Sequence, residues 1–518
     1  MEGTIFSLVP PLVMIILVLS TRKVLLSLGT GIVVGAFFIH DFSPVQSLQE
    51  IWTTFYTLFW SAEDGLNSGT WYLFAFLIFL GMTTALISAT GGNQAFGKWA
   101  VSHVKSRTGA QVVPAVLGLI IFIDDYFNSL AVGQVSRPIT DRHKVSRAKL
   151  AYFIDSTSAP ICVVSPISSW GATIIGLIGT SLVTHEITEY GSFEAFIRMI
   201  PMNLYVVTAL LLVFLTAFLK MDIGPMRAHE ERAIKTGEVI NPERSNIPGN
   251  LSEDIFQHTN GKIYHLLLPI IILIVATVGA MIYTGVQNAE GAVTWLSVFE
   301  NTDVLFSLFV GGLITVIVGV VLYVLQTSPK ANLGKTLSEG AKSMLPAIYI
   351  LVLAWMIGTI IDLIGTGEYL GQVVQESAMD AAYLPLVIFI AAGFMAFATG
   401  TSWGTFGIMI PIAGDVAAVV DPSIFLPTLA AVLAGSVFGD HCSPISDTTI
   451  LSSTGAGSNH MDHVITQLPY ALIAAGASAT GYIVLGVSGS FLLAFVVPVV
   501  LILGIALVIH SKNSKVAI

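Results

Sequence analysis

The sequence predicts an all-α polytopic membrane protein with about eleven spans, arranged as two inverted-topology repeats. Each repeat is expected to carry one re-entrant hairpin and one broken helix. Three observations carry this reading: composition, the alternation of charge between apolar runs, and a polar, proline-broken stretch that occurs in both halves. Of 518 residues, 54% are hydrophobic and only 10% charged, with a mean hydropathy of +0.82. Soluble domains carry about 25% charged residues. Apolar runs such as "FLLAFVVPVVLILGIALVIH", Phe491 to His510, are near the ~20 residues that a helix needs to cross the hydrocarbon core. The first run, Thr4 to Ser20, has no basic residues before it and Arg22 and Lys23 after it, so it reads as a retained span and not a signal peptide.

Charge then orders the loops. Arg22 and Lys23, Lys98 to Arg107, Arg137 to Lys149, Lys220 to Lys262, Lys330 to Lys342, and Lys512 with Lys515 form the basic connections. Asp41 to Asp64, Glu186 to Glu194, Glu290 to Glu300, Glu368 to Asp380 and Asp415 to Asp421 carry acids without bases, and Arg198 alone stands apart from the basic set. The positive-inside rule makes the first set cytoplasmic and the second external, with the N-terminus outside and the C-terminus inside. Val112 to Val135 is flanked by basic connections on both sides and therefore enters and returns; its tip is "FIDDYFNS", Phe122 to Ser129. Leu384 to Ala413 has acidic connections on both sides and dips in from outside, with the tip "FATGTSWGTFG", Phe397 to Gly407.

The same parts recur in the same order. Thr90-Gly91 aligns with Thr366-Gly367, Gly118 with Gly393, and Asp124 with Thr399. "AYFIDSTSAPICVVSPISSWGA", Ala151 to Ala172, aligns with "SVFGDHCSPISDTTILSSTGAG", Ser436 to Gly457. Cytoplasmic connections in the first copy become external in the second, which is the pattern of inverted repeats in secondary transporters. The expected division is 1–219 and 263–487 for the repeats, 220–262 for a cytoplasmic loop, and 488–518 for an extra span and tail.

Proline removes a helix hydrogen bond, and the freed backbone groups are tolerated at membrane depth only where they line a protected, wet cavity. The two breaks and two tips therefore mark one site. Its candidate residues are Asp124, Asp125 and Asn128 at the first tip, and Asp155, Ser156, Thr157 and Ser158 at the first break. Thr401 and Ser402 lie at the second tip, and Asp440, His441, Ser443, Ser446 and Asp447 at the second break. Carboxylates within spans are costly and mark function by default. Asp155 and Asp440, each followed by hydroxyl residues, also suit helix N-caps. No Lys or Arg is expected at depth to receive an organic anion, whereas carboxylate, hydroxyl and carbonyl oxygens suit Na+. A carboxylate buried among apolar helices favours a neutralising partner, either a proton or a cation.

"GDHCSPISDTTILSSTGAG", Gly439 to Gly457, resembles the signature of the NhaC-type sodium/proton antiporter family. "FIDDYFNSLAVG" and "DSTSAPICVVSPISSWGA" are similar to that family's first-half motifs. The resemblance covers roughly residues 70–470. It implies a prokaryotic plasma-membrane exchanger that expels Na+ as H+ enters; by their position in the two breaks, Asp155 and Asp440 are the carboxylates for which Na+ and H+ compete. The resemblance equally allows the family's exchangers of malate for lactate, and relatives thought to carry amino acids.

Other classes fit less well. A channel needs a continuous pore, which two opposed blind hairpins do not provide. No metal triad or nucleophile–base spacing suggests an enzyme, and Cys162 and Cys442 do not have the spacing of a zinc site or form a disulfide framework. No cofactor is expected beyond the transported Na+ and H+. Expected partners are the lipid bilayer and a homodimer mate, with a small carboxylate or amino acid as the alternative solute, and no nucleic acid.

Overall fold

The computed structural model describes residues 3–516 except 22, 62–64, 93, 97–98, 100–103, 167, 244–246, 248–260, 290–292, 327–331 and 377–380. Lys98, Lys330 and Arg22, used above to orient the chain, lie outside the described residues, as does most of the proposed 220–262 loop beyond 247.

The chain is helical almost throughout. α1 (Val9–Thr21) and α2 (Val24–Ile39) precede a short surface helix, α3 (Pro44–Thr57), and the span α4 (Ser68–Ala89). α5 (Arg107–Ile120) and α6 (Asp125–Arg142) form the first hairpin. α7 (Arg147–Asp155), α8 (Ala159–Cys162) and α9 (Ser169–Thr184) are the pieces of the first broken helix. α10 (Ser192–Met199), α11 (Leu204–Leu219), α12 (Gly224–Thr236), α13 (Tyr264–Asn288), α14 (Trp295–Glu300), α15 (Val304–Leu325) and α16 (Leu333–Ser343) follow. Then come α17 (Leu345–Leu363), α18 (Thr366–Glu376) and the second hairpin, α19 (Leu384–Thr399) and α20 (Ser402–Val420). α21 (Phe425–Cys442) and α22 (Asp447–Ala456) make the second broken helix, and α23 (His460–Ser488) and α24 (Phe491–Val516) end the chain. A two-stranded ribbon, Trp60–Ser61 with Gly65–Leu66, is the only sheet among the described residues.

Among the described residues, 9 helices are long and apolar enough to cross a membrane, and Ile5–Val18 and Val24–Ile39 are shorter apolar helices. The all-α polytopic class follows directly. Ser402–Val420 is itself long enough to cross, yet α20 folds back against α19 through a turn of two residues. Gly400 makes that turn possible: it caps α19 with φ +74°, a left-handed conformation that side chains disfavour.

The halves are interlocked. α6 and α7 of the first half pack on α22 of the second, α7 also packs on α23, and α19 lies along α21. One apolar core joins Tyr152, Trp170 and Tyr205 to Phe389, Phe406 and Tyr482.

Two details differ from the sequence reading. The basic stretch Arg137 to Lys149 is mostly helix, not loop, because α6 runs to Arg142 and α7 starts at Arg147. Lys149 is fully buried and paired with Asp222 at 2.6 Å and Glu230 at 3.5 Å. It sits six residues before Asp155, about 9 Å along the helix, so its charge is neutralised by α12 and the preceding turn before it reaches the breaks.

Candidate functional site

The two breaks and two tips meet. At the first tip, Asp124 caps α6 by accepting from Phe127 N at 2.9 Å. Asp125 opens the helix proper, and its Oδ1 accepts from Trp170 Nε1 at 3.0 Å. Asn128 Nδ2 stitches the tip together, donating towards the carbonyls of Gly118, Ile121 and Thr157 at 2.8, 2.7 and 3.0 Å. The tip is thereby tied to the first break. Ser158 adds a second tie, donating to the Asp125 carbonyl at 2.9 Å. Thr157 turns back onto its own helix, donating to Phe153 O at 2.8 Å.

At the second tip, Thr401 caps α20 by accepting from Trp403 N at 3.2 Å. Ser402 donates to Asp440 Oδ2 at 2.8 Å, and Ser443 donates to the Phe397 carbonyl at 2.8 Å. Each hairpin tip is thus bonded to the break that follows it in sequence. Contacts between halves complete the assembly. Ser156 Oγ lies 3.0 Å from His441 Nε2, and Tyr126 hydrogen-bonds Asp447. Ser446 caps α22 through Thr449 N at 3.2 Å and shares a hydrogen bond with Thr448 at 2.8 Å.

Asp155 and Asp440 are not N-caps. Asp155 is the last residue of α7, and Asp440 lies in the last turn of α21. A helix C-terminus carries partial negative charge and favours cations. An acid placed there is at the disfavoured end unless donors or a cation offset it. The two carboxylates resolve this differently. Both Asp155 oxygens are occupied: Thr449 donates at 2.9 Å, Gln467 at 2.5 Å and Ser452 at 3.2 Å, with His463 Nε2 at 3.6 Å. Asp440 Oδ2 accepts from Ser402, and Ser446 also approaches this carboxyl, but its Oδ1 is buried and makes no hydrogen bond of normal geometry among the described residues. Asp125 Oδ2 and Asn128 Oδ1 are likewise buried and unpartnered. Such atoms cost free energy unless a ligand or water completes them. Asp124, Asp447 and Asp440 all lie within electrostatic reach of Asp125, so the open oxygens sit in a concentrated negative field. Among the described residues, no three His, Cys, Asp or Glu side chains converge as a metal cage. A cation here would draw on the carboxylate oxygens of Asp125 and Asp440 and the amide oxygen of Asn128, hard oxygen donors of the kind that suit Na+.

Several participants lie outside the predicted set. Tyr205 on α11 bonds His441 Nδ1 at 2.7 Å, and Gln467 joins Asp155 to the His441 carbonyl. Ser129 connects Ser158, at 2.8 Å, to Ser452, at 3.1 Å. A hydroxyl chain therefore runs from the first tip to Asp155. The signal that would have revealed α23 is a polar stripe, His460, His463 and Gln467, at helical spacing on a span that is otherwise apolar. Trp170 and Trp403 pack with their rings tilted at 56° and centroids 5.1 Å apart, with Trp403 the more exposed. Trp355 lies flat on Phe74 at 5.6 Å and reaches Asp447.

An uncharacterized protein of Haemophilus influenzae is 45% identical over 515 residues, covering 99% of this chain and 96% of the relative. An uncharacterized Na(+)/H(+) antiporter of the same organism is 32% identical over 30% of this chain and 33% of its own length. A malate-2H(+)/Na(+)-lactate antiporter of Bacillus subtilis is 28% identical over 37% of this chain and 39% of its own. The model of the Na+/H+ antiporter family matches residues 161–487, a span that takes in the second hairpin and the second break. With well over half of its length matched, and with hairpin tips bonded to the breaks that follow them, this chain belongs to the Na+/H+ antiporter family of secondary transporters.

Proposed function

We propose that the protein exports Na+ in exchange for H+, the two ions competing for the negative charge of one cluster of buried carboxylates. The observation that carries this reading is the pair of open oxygens, Asp125 Oδ2 and Asp440 Oδ1. They belong to different halves, and Asp440 stands at a helix C-terminus that itself attracts a cation. Asp125 and Asp440 hold the cation, with Asn128 Oδ1 as a neutral ligand. Asp124 and Asp447 supply field; the hydroxyls of Ser156, Thr157, Ser158, Thr401, Ser402, Ser443 and Ser446 fix the tips and breaks. Residues 1–219 and 263–487 act as the inverted repeats, which gives the cluster access to alternate sides. The protein resides in a prokaryotic plasma membrane, N-terminus outside and C-terminus cytoplasmic.

The test is ion flux in proteoliposomes with no organic solute present. Na+-dependent proton movement supports the reading, and its absence overturns it. A second reading, Na+- and H+-coupled exchange of a small carboxylate or amino acid, draws on the malate and lactate exchanger among the relatives. The half-exposed Trp403 face beside Trp170 also favours it, being a surface on which an organic solute would pack. Flux that appears only when malate, lactate or an amino acid is added selects this second reading.

A further inference from the structure

His460 and His463 are 3% and 0% exposed, and their hydrogen bonds can be counted proton by proton. His460 Nε2 lies 2.7 Å from the Pro444 carbonyl. His463 Nε2 lies 2.8 Å from Gln467 Oε1. Both partners only accept, because the Gln467 amide nitrogen is turned to Asp155 Oδ2 and the His441 carbonyl, each at 2.5 Å. Both Nε2 atoms therefore carry hydrogen. In the neutral rings each Nδ1 is then an acceptor, and both face one hydroxyl. Ser453 Oγ is 3.2 Å from His460 Nδ1 and 2.8 Å from His463 Nδ1. That hydroxyl has one proton, and the Thr449 carbonyl at 2.8 Å is a third claimant for it.

With both rings neutral, at least one buried Nδ1 lacks a donor, which is costly. One added proton completes the set. Protonated His463 donates from Nδ1 to Ser453, which then donates to His460; the mirror arrangement works equally well. The charge has a counterion in place, because Asp155 from α7 lies 3.6 Å from His463 Nε2.

We infer that the His460–Ser453–His463 relay, backed by Asp155, is where the exchanged proton is held, apart from the oxygens that hold the cation. This rests on the exchanger reading above and names its proton site. The charged and titratable groups facing the relay are Asp155 on α7 and His441 on α21. The guanidinium groups of Arg137 and Arg147 crowd Gly457, just before α23 begins. The proton and Na+ exclude one another through charge. A cation at Asp125 and Asp440 and an imidazolium at His463 both add to one cluster, and the hydroxyl chain Ser158–Ser129–Ser452 connects the two ends. The step is a proton transfer between rings and bulk water, with no bond to carbon made or broken.

The relay is tested with the full chain in proteoliposomes. His463→Gln, His460→Gln and Ser453→Ala are each expected to shift the pH profile of Na+-driven proton flux by about one unit or more, or to abolish the flux. Na+ binding at alkaline pH, where the relay is empty in any case, should stay within about threefold of wild type. A wild-type pH profile in all three variants overturns the relay. A second measurement uses the unmutated protein and does not depend on how variants fold. Histidine-selective ¹⁵N NMR in liposomes at neutral pH should show an imidazolium that disappears when Na+ is added. Neutral rings throughout the pH range of exchange overturn the relay as well. Absence of Na+-dependent proton flux from wild-type protein counts instead against the exchanger reading, whatever the NMR shows.

Discussion

Ser402 donates a 2.8 Å hydrogen bond to Asp440 Oδ2, fastening the tip of the second hairpin to a carboxylate in the last turn of α21. The bond does two things at once. It fixes the carboxylate's rotation, and it leaves Oδ1 as the open oxygen. Asp440→Asn keeps an acceptor for Ser402 but loses the charge. Losing one member of a buried charge pair costs about 2–5 kcal/mol, so Na+ affinity should drop by at least about thirtyfold. Isothermal titration of purified protein checks this, and wild-type affinity in a folded variant would remove Asp440 from the site.

The hairpins and breaks were legible because their causes are local. Basic connections on both sides of Val112 to Val135 forbid a single crossing, and Pro160 and Pro444 with their hydroxyl neighbours announce the interruptions. The state of each carboxylate was not legible. Asp155 and Asp440 look alike in sequence, yet Asp155 is saturated by donors 294 and 312 residues away along the chain, Thr449 and Gln467. No local pattern encodes a partner at that separation. The N-cap expectation failed for a related reason. Asp followed by Ser marks a helix end without saying which end, and here the helix precedes the acid.

Trp170→Phe isolates one hydrogen bond. The phenyl ring keeps the contacts with Trp403 and Phe406 but no longer donates to Asp125 Oδ1. A hydrogen bond to a charged group is worth about 1.5–3 kcal/mol. Thermal stability should therefore fall by an amount of that order, and Na+ affinity at neutral pH should weaken because Asp125 is no longer held in its orientation. Unchanged affinity would mean that Asp125 does not hold the cation.

Glu230 on α12 accepts from Ser146 N at 2.7 Å and pairs with Arg107 and Lys149. It ties the start of the first hairpin to the start of α7, and both Glu230 and Lys149 are buried. Glu230→Gln leaves Arg107 facing a neutral amide and Lys149 with Asp222 as its remaining counterion. Breaking a buried pair in this way costs about 3–5 kcal/mol, and thermal denaturation in detergent should show a clear loss of stability. A transition at the wild-type temperature would show that α12 is not a structural clamp.

Sidedness is tested with single cysteines. Native Cys162 and Cys442 are buried and contribute little background. Lys105→Cys and Arg142→Cys flank the first hairpin and should label from the cytoplasmic face. Glu376→Cys and Val419→Cys flank the second and should label from outside. Opposite labelling within either pair would make that hairpin an ordinary crossing and end the inverted repeat.

The pH dependence of Na+ affinity separates two ways for the ions to exclude each other. If both occupied the same oxygens, apparent Na+ affinity would fall about tenfold per pH unit for each coupled proton, with no floor as pH drops. With the proton on the His460–Ser453–His463 relay, exclusion is an interaction between neighbouring sites, and such couplings are finite, typically about 1–3 kcal/mol. The sign is the same in both cases. A proton bound to the cluster raises its positive charge and weakens Na+ binding, so affinity is highest at alkaline pH, where no proton remains to be displaced, and declines as pH falls. The shapes differ. The relay predicts a second plateau at acid pH, lying about 5- to 150-fold below the first. Na+ binding by purified protein across pH, without organic solute, reads this directly. A decline that continues at full slope through the acid range would place the proton on the cation's own oxygens, and binding indifferent to pH would uncouple the two ions altogether.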